Sequence, residues 1–551
     1  MSVYRILALI IFSTLSSLVY SQEQLSVSGS LDNNTYFYIY DDKIVPPGIP
    51  QYERQQIGLE TWLSLRAQIA GFDFGMRYDM FENSALLNPT DSYTAQGIGR
   101  WYAGKKLGKL SLLGGYIYDQ IGSGIIFRAY EERPLLIDNA LVGLKVAYEI
   151  SPDWTIKGLA GRQKNLFDLY GSVITGINID GFKSFGEEGK VTIAPGFGAL
   201  HKTLSDAQMD ALAGTLSQYT PEDFIDSVPY NTVSLSLYNT LSTGRFSWYV
   251  EGAYKTEEVI NDIYATSTLW TGVESVGKFV LTDGYVFYTT LSYAGDGLGL
   301  SAQYKRTSNF ISRADPFVTG NRGLIDFLPP MARVNTYRLT SRYAPATQEL
   351  DEEAIQIDAR YAVNKKLSLL VNYSRITRPE AAENRNIYDE IYTQFTLKKP
   401  KEWTMIGGVQ YLRYDQELYQ GKAGVPIVEA ITPYIDYLYK FDQKKSLRTE
   451  IQYMSTAQDY GSWLYALAEF SISPHWLFEL SDMYNIAPTV KEDGKEGEKL
   501  HYPTAGVVYS AGSTRYSLRY VKQVEGVVCS GGICRLEPAF SGVKLNISAN
   551  F

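Results

Sequence analysis

One rhythm runs through nearly the whole chain: segments of about ten residues in which apolar and polar side chains alternate at period two. Ile355, Ile357, Ala359, Tyr361 and Val363 interleave with Gln356, Asp358, Arg360 and Ala362. After Asn364-Lys365-Lys366 the pattern resumes, with Leu367, Leu369, Val371 and Tyr373 against Ser368, Leu370, Asn372 and Ser374. Side chains of a strand point to opposite faces in turn, so each segment has one greasy and one polar face. Similar segments begin near Leu63, Phe72, Leu141, Val233, Phe246, Tyr285, Leu298, Leu447, Trp463, Trp476 and Tyr516. No linker or composition break separates them, which implies an all-β chain of one domain.

A soluble sandwich alternates in the same way, so three further features decide the class. Short turns such as Ala70-Gly71, Ser242-Thr243-Gly244-Arg245, Gly295-Asp296-Gly297 and Ala511-Gly512-Ser513 tend to alternate with long polar connections, the asymmetry of an outer-membrane barrel. Several turns hand straight over to tryptophan: Ser151-Pro152-Asp153-Trp154, Lys399-Pro400-Lys401-Glu402-Trp403 and Ser473-Pro474-His475-Trp476. An aromatic there would sit at headgroup depth. The chain also ends inside an alternating segment, with Val543, Leu545, Ile547, Ala549 and Phe551 on one face. Leu545, Ile547 and the terminal Phe551 resemble the C-terminal signal read by the barrel-assembly machinery.

The N-terminus fits this compartment. Arg5, the apolar run Ile6 to Phe12 and the small residues Val19 and Ser21 read as a signal peptide over 1–21, cleaved near Ser21, with 22–551 forming the barrel. The apolar run is too short for a spanning helix, and no later stretch is long enough, so any membrane crossing is by strands. A net charge of -9 argues against a nucleic-acid partner. The 44 tyrosines, each with an apolar ring and a polar tip, suit a surface that is wet at one end and oily at the other.

Length and segment spacing predict a single large transmembrane antiparallel β-barrel of roughly 24 to 26 strands, although inside–outside alternation cannot be carried from about Lys190 to Asn364. Barrels of 16 to 18 strands already enclose a water channel, and 22 strands need a plug. Inward-folding or plugging loops are therefore expected from Asp119 to Asn139, Asn165 to Tyr230, Thr256 to Gly284 and Phe310 to Val334. The second contains a helix signal over Asp206 to Leu216: Ser205 as N-cap, Gln208 three residues on, and Leu204 opposite Met209 as a staple. That helix either folds inward or stays solvated at the rim.

Charges of both signs recur on polar faces: Arg66, Asp73, Arg77, Asp79, Lys145, Glu149, Glu251, Asp358, Arg360, Arg448, Glu450, Arg515 and Arg519. Facing lipid, a charge costs up to about 2–4 kcal/mol, so they face the lumen, as cross-strand ion pairs or as a selectivity ladder.

One string departs from the rhythm: Tyr116-Ile117-Tyr118-Asp119-Gln120-Ile121-Gly122-Ser123-Gly124-Ile125-Ile126-Phe127-Arg128-Ala129-Tyr130-Glu131-Glu132-Arg133, followed by Asp138-Asn139-Ala140. Gly122 and Gly124 permit tight backbone geometry. Arg128, Glu131, Glu132 and Arg133, with Tyr130 among them, are too charged for a lipid face. The segment lies inside the barrel or at its mouth, pinned by paired charges, or else is an exposed loop. The string, with Tyr343-Ala344-Pro345-Ala346-Thr347-Gln348, resembles an uncharacterised family of Bacteroidota outer-membrane β-barrels. The resemblance implies that fold, that location and a host of that phylum; it implies no activity.

Cys529 and Cys534, in Cys-Ser-Gly-Gly-Ile-Cys, read as a local disulfide of an exported loop; a metal site would need more ligands, and a redox motif a shorter spacing. The histidines are His201, His475 and His501, and neither a Gly-x-Ser-x-Gly elbow nor a His-Glu-x-x-His helix is present. No catalytic, cofactor-binding or metal residues are predicted. A TonB-dependent transporter would place a plug domain before its first strand, and here strands begin soon after Gln22. The expected function is a channel or transport-related barrel with a constricted lumen. The alternative is a non-conducting scaffold. Its partners are expected to be outer-membrane lipid, the assembly machinery and a surface or secretion complex.

Overall fold

Two environments, one apolar outside and one polar inside, fix the strand pattern. The computed structural model describes residues 25–551 apart from Pro89, 187–189, 382–385, 490–496 and 531–532, and describes no side chain of 528–530 or 533. The expected signal peptide lies outside the described residues.

Twenty-four antiparallel strands close into one barrel. The first eight are β1 Ser26–Tyr38, β2 Ile57–Ile69, β3 Phe72–Ser84, β4 Tyr93–Leu107, β5 Leu110–Ile117, β6 Leu141–Ser151, β7 Trp154–Asn165 and β8 Asp168–Gly181. They are followed by β9 Val191–Thr203, β10 Asn231–Thr243, β11 Phe246–Thr268, β12 Glu274–Gly295, β13 Leu298–Ser308, β14 Asp351–Ala362, β15 Leu367–Thr377 and β16 Asn386–Lys399. The last eight are β17 Trp403–Tyr414, β18 Val428–Lys440, β19 Lys445–Met454, β20 Ser462–Ile472, β21 Trp476–Ala487, β22 His501–Ala511, β23 Thr514–Gln523 and β24 Phe540–Asn550. The seam joins β24 to β1, with Leu545 opposite Thr35 and Ile547 opposite Asn33, and Gly29 N–H donates to the Phe551 carbonyl at 2.7 Å. The start of β1 and the end of β24 thus share the rim that carries the tight turns.

Alternation in burial is sharpest in β18: Ala430, Thr432 and Tyr434 are buried inward, while Ile431 and Ile435 are exposed outward. The outer surface is a band of exposed apolar side chains, including Leu63, Leu65, Leu237, Leu291, Val371, Ile451, Leu480 and Leu518. Trp476 stands exposed at the tight-turn rim beside Tyr509 and Phe478, and Trp154 and Trp403 start β7 and β17 at the same level. Tyr254, Tyr285 and Tyr453 are exposed toward the opposite rim. On β11, Phe246 and Tyr254 are eight residues apart, about 26 Å along a strand rising ~3.3 Å per residue, which a tilted strand fits to an apolar band of about 25 Å.

The expected count of 24 to 26 strands includes the observed 24, but two expected connections are strand. Asn165–Tyr230 contains β8, β9 and helix α1 (Asp206–Leu216), because Leu166 and Phe167 alone turn β7 into β8. Thr256–Gly284 is the far part of β11 and β12, which run for 23 and 22 residues and pair well past their neighbours. Inside–outside alternation cannot be carried through this region because β11 and β12 run to about twice the length that crosses the apolar band. Helix α1 has the expected capping box, with Ser205 Oγ accepting from Gln208 N–H, and Leu204, Met209, Leu212 and Leu216 pack against Val259 and Phe279 of the long hairpin. It therefore sits at the rim rather than in the lumen.

Candidate functional site in the barrel lumen

A barrel of 24 strands has a wide polar inner wall, and two connections lie against it: 118–140 and 309–350. The first carries two short ladders, between Gln120–Ile121 and Phe127–Arg128 and between Glu131–Glu132 and Ile137–Asp138, and a 3-10 turn at Arg133–Leu135; the second carries an isolated bridge between Arg313 and Leu324. Ile121, Ile125, Ile126 and Phe127 of the first segment are buried against Phe310, Ala314, Ile325 and Leu328 of the second. The wall side of this cluster is Leu141, Leu159, Ile174, Leu200, Ala253 and Val286, all inward positions of β6 to β12. Each Leu, Ile, Val or Phe side chain here contributes about 1.5–3 kcal/mol when fully removed from water.

Backbone groups of irregular segments need partners, and here each segment supplies them to the other. Arg128 N–H donates to the Ile325 carbonyl at 2.9 Å, Phe327 N–H to Gly124 at 3.1 Å, and Asn139 Nδ2 to Leu324 at 3.0 Å. Gly122 (φ +57°) and Gly124 (φ +104°) form the tight turn that makes this approach. A Cβ on Gly122 would stand 2.6 Å from Glu251 Oε1, and the next N–H, of Ser123, donates to Glu251 Oε2 at 3.0 Å.

Charge pins the first segment to the wall. Arg77 on β3 is buried between Asp79, bonded through two nitrogens at 2.6 and 2.8 Å, Glu131 at 2.5 Å and Asp138 at 3.0 Å. Lys164 on β7 reaches Asp138 at 2.5 Å, and Arg133 links Glu131 at 3.2 Å to Asp32 of β1 at 2.8 Å. Lys145 and Lys157 both hold Asp119 at 2.7 Å. Arg128 is a different case: its guanidinium lies over Phe327 and Tyr130 at 4.0 and 4.7 Å, and among the described residues it is held by rings rather than by a carboxylate. Tyr130 N–H donates to Asn139 Oδ1 at 2.6 Å, and Glu132 faces Ile137 in the short ladder.

The second segment runs along the rest of the wall. Lys202, Lys255 and Lys305 donate to the carbonyls of Arg313, Ile311 and Pro329 at 2.9, 2.6 and 2.7 Å, while Glu258 pairs with Lys202 and Glu352 with Lys305. Farther along, Asn335 Nδ2 donates to Glu390 at 2.7 Å, Leu339 N–H to Gln452 at 2.8 Å, Gln410 Nε2 to the Thr340 carbonyl at 3.0 Å, and Tyr343 Oη to Asp459 at 2.9 Å. Met331, Leu339 and Tyr343 fill a second apolar cluster with Tyr388, Leu412, Tyr414, Met454 and Trp463. Sequence reasoning ended this filler at Val334 and missed Arg338, Arg342 and the wall contacts. The visible signal was a non-alternating run beginning Pro329-Pro330 and carrying Arg333, Arg338 and Arg342.

Other inward charges pair across strands, Arg66 with Asp73 at 2.7 Å, Arg519 with Glu479 at 2.9 Å, and Arg448 with Asp436 at 3.1 Å and Glu469 at 2.8 Å, and Arg448 also meets Glu450 of its own strand. Inward Tyr249 donates to Glu251 at 2.5 Å. Cys529 and Cys534 are opposite each other in a hairpin of Gly526–Ser530 and Ile533–Glu537, and Cys534 is disulfide-bonded. Leu545 and Ile547 lie opposite Leu518 and Tyr516 on the outward face of β24. Among the described residues no cluster of three metal-ligating side chains occurs.

The family model for a family of unknown function, DUF6029, matches residues 1–551. The chain belongs to that family. No curated protein matches the sequence. Among solved structures, an E. coli P pilus tip assembly intermediate, PapC-PapD-PapK-PapG, is 10% identical with a TM-score of 0.48, over 96% of this chain and 62% of that one. This family member thus spans 62% of that chain's length. The P pilus usher (PapC) translocation pore is 10% identical with a TM-score of 0.37, over 96% of this chain and 99% of that one. The siderophore receptor PirA from Pseudomonas aeruginosa is 9% identical with a TM-score of 0.41, over 96% and 81%.

Two expectations follow from the site. Arg77→Gln leaves Asp79 buried without its cation, while Asp138 keeps Lys164 and Glu131 keeps Arg133. Loss of one partner from a buried pair costs about 3–5 kcal/mol, so residues 118–140 become cleavable by added protease at urea concentrations that leave the native segment intact. Burial, reinforced by Glu349, pushes the Asp326 carboxyl up to about 7, above a free aspartate, although Ser312 N–H donates to it at 2.9 Å. The folded segment therefore holds a proton that the released one gives up, and its stability falls as pH rises from about 4, the range of a free aspartate, to about 7. The thermal midpoint for proteolytic release of 309–328 is expected to drop between about pH 5 and pH 8, and Asp326→Asn to flatten that dependence.

Proposed function

We propose that this protein is an integral outer-membrane barrel of a transport-related kind whose lumen is constricted by residues 118–140 and 309–350. The observation that carries the reading is the opposition of a wide polar wall and two buried connections bonded to it by ion pairs on both sides. The apolar outer band with aromatic rims supports a membrane position, with outer-membrane lipid as the surrounding partner. In this reading 1–21 is a cleaved signal peptide, and Leu545, Ile547 and Phe551 serve the assembly machinery. Gly122, Gly124, Arg128, Tyr130, Glu131, Glu132 and Arg133 belong to the constriction, and the Cys529–Cys534 hairpin stiffens one extracellular connection. Passage then requires displacement of a segment, and ion pairs are suited to this because water and salt compete with them.

A second reading, a scaffold in a surface complex, is favoured by one feature. The long hairpin of β11 and β12 carries Ile263, Trp270, Val273 and Val276 exposed beyond the neighbouring strands, with Val276 84% exposed.

Planar-bilayer recording separates the two. The transport reading predicts little steady current from the intact barrel and large, stable steps after deletion of 330–345. A steady wide-pore current from the intact protein contradicts the constriction, and silence of the deletion variant, with its barrel shown intact by circular dichroism, supports the scaffold.

A further inference from the structure

Between residues 330–345 and the connection that follows β23 lies a cavity of about 380 Å³, in the size range of small-molecule sites. Its lining includes Arg333, Arg338, Arg342, Glu525 and Glu537. These charges are not equally engaged. Arg342 faces Asp459 at 3.5 Å and lies against the rings of Tyr460 and Trp463 at 5.1 Å. Arg333 reaches Asp358 only at 3.7 Å and sits over Tyr392 at 4.5 Å; Glu525 accepts from Tyr460 Oη at 2.5 Å.

Arg338 differs from all of them. Its side chain is exposed to this interior space, and among the described residues it makes neither an ion pair nor a side-chain hydrogen bond. Its own turn is held without it: Ser341 N–H donates to Tyr337 at 3.0 Å and Arg342 N–H to Leu339 at 3.3 Å, so the backbone fixes where the guanidinium stands. Glu537 lines the same cavity and also the neighbouring one that contains Lys544, and it is within ion-pair distance of neither cation. Among the described residues, Arg338 and Glu537 are thus the charges of this cavity with neither an ion pair nor a side-chain hydrogen bond, while Lys544 of the neighbouring one lies over the Phe540 ring at 4.4 Å. Buried nitrogens of Arg333 and Arg342 (Nε) and the buried Asn335 Oδ1 also lack hydrogen-bond partners. A guanidinium offers a planar fork of donors that matches a carboxylate or a phosphate.

We propose that this cavity binds a small soluble anion bearing a carboxylate or phosphate group, with Arg338 as its direct contact. The site goes beyond the transport reading and is independent of it, because binding is measured on the closed, purified barrel whether or not it conducts.

The test is equilibrium binding of succinate and of inorganic phosphate, separately, to the full-length protein in detergent at low ionic strength. Saturable binding of one or both is expected with a Kd of about 1 mM or tighter. Arg338→Gln is expected to weaken it about 10-fold or more, as loss of a charge-assisted bond does, and Glu537→Gln to tighten it by removing a competing carboxylate. Because Arg338 supports no other residue, the variant keeps the native unfolding midpoint. The proposal is overturned if neither anion binds saturably, or if Arg338→Gln binds as the native protein does.

Discussion

The inner wall of a very wide barrel is the constraint on which the rest of this structure depends. A sheet closed on itself has no free edge, but 24 strands leave an interior too broad for wall side chains to meet across it. The cations and carboxylates on that wall need partners, and so does the irregular backbone of any segment that enters. Here the two needs answer each other. Arg77, Lys145, Lys157 and Lys164 find Glu131, Asp119 and Asp138 on one connection, and Lys202, Lys255 and Lys305 find the carbonyls of another. Apolar clusters around Ile125 and Tyr343 then exclude water from the contacts.

Such an arrangement differs from a hydrophobic plug in how it would respond to conditions. Buried ion pairs are weak sources of net stability but are severely destabilised when one member is lost. The segment 118–140 is therefore tied to the wall by a few specific residues rather than by area alone. Asp326, between Ser312 and Glu349, adds a proton-linked tie in the second segment.

Much of the architecture was legible because the two solvents write it directly into the chain. Lipid on one face and water on the other force period two, and Ile431 and Ile435 against Ala430 and Tyr434 show it at its clearest. Helix α1 was legible from Ser205 and Gln208 because capping is local. The long hairpin was misread because β11 and β12 continue past their neighbours, where the apolar band no longer marks a strand's ends. The segment 118–140 stood out as a break in the alternation, but its contacts did not: Asn139 meets Leu324 across 185 positions, and no local pattern encodes such a pairing. Arg338 was invisible for the opposite reason, since a residue is singular by lacking partners only once the surrounding fold is known.

The central claim is that the two connections are held inside the barrel by the contacts described. Amide hydrogen exchange of the lipid-reconstituted protein, read by mass spectrometry, tests it most directly. Peptides covering 121–129 and 310–328 should exchange slowly, at rates near those of β14 and β18 and far below those of the rim connection 39–49. Exchange of both segments as fast as 39–49 would contradict the account.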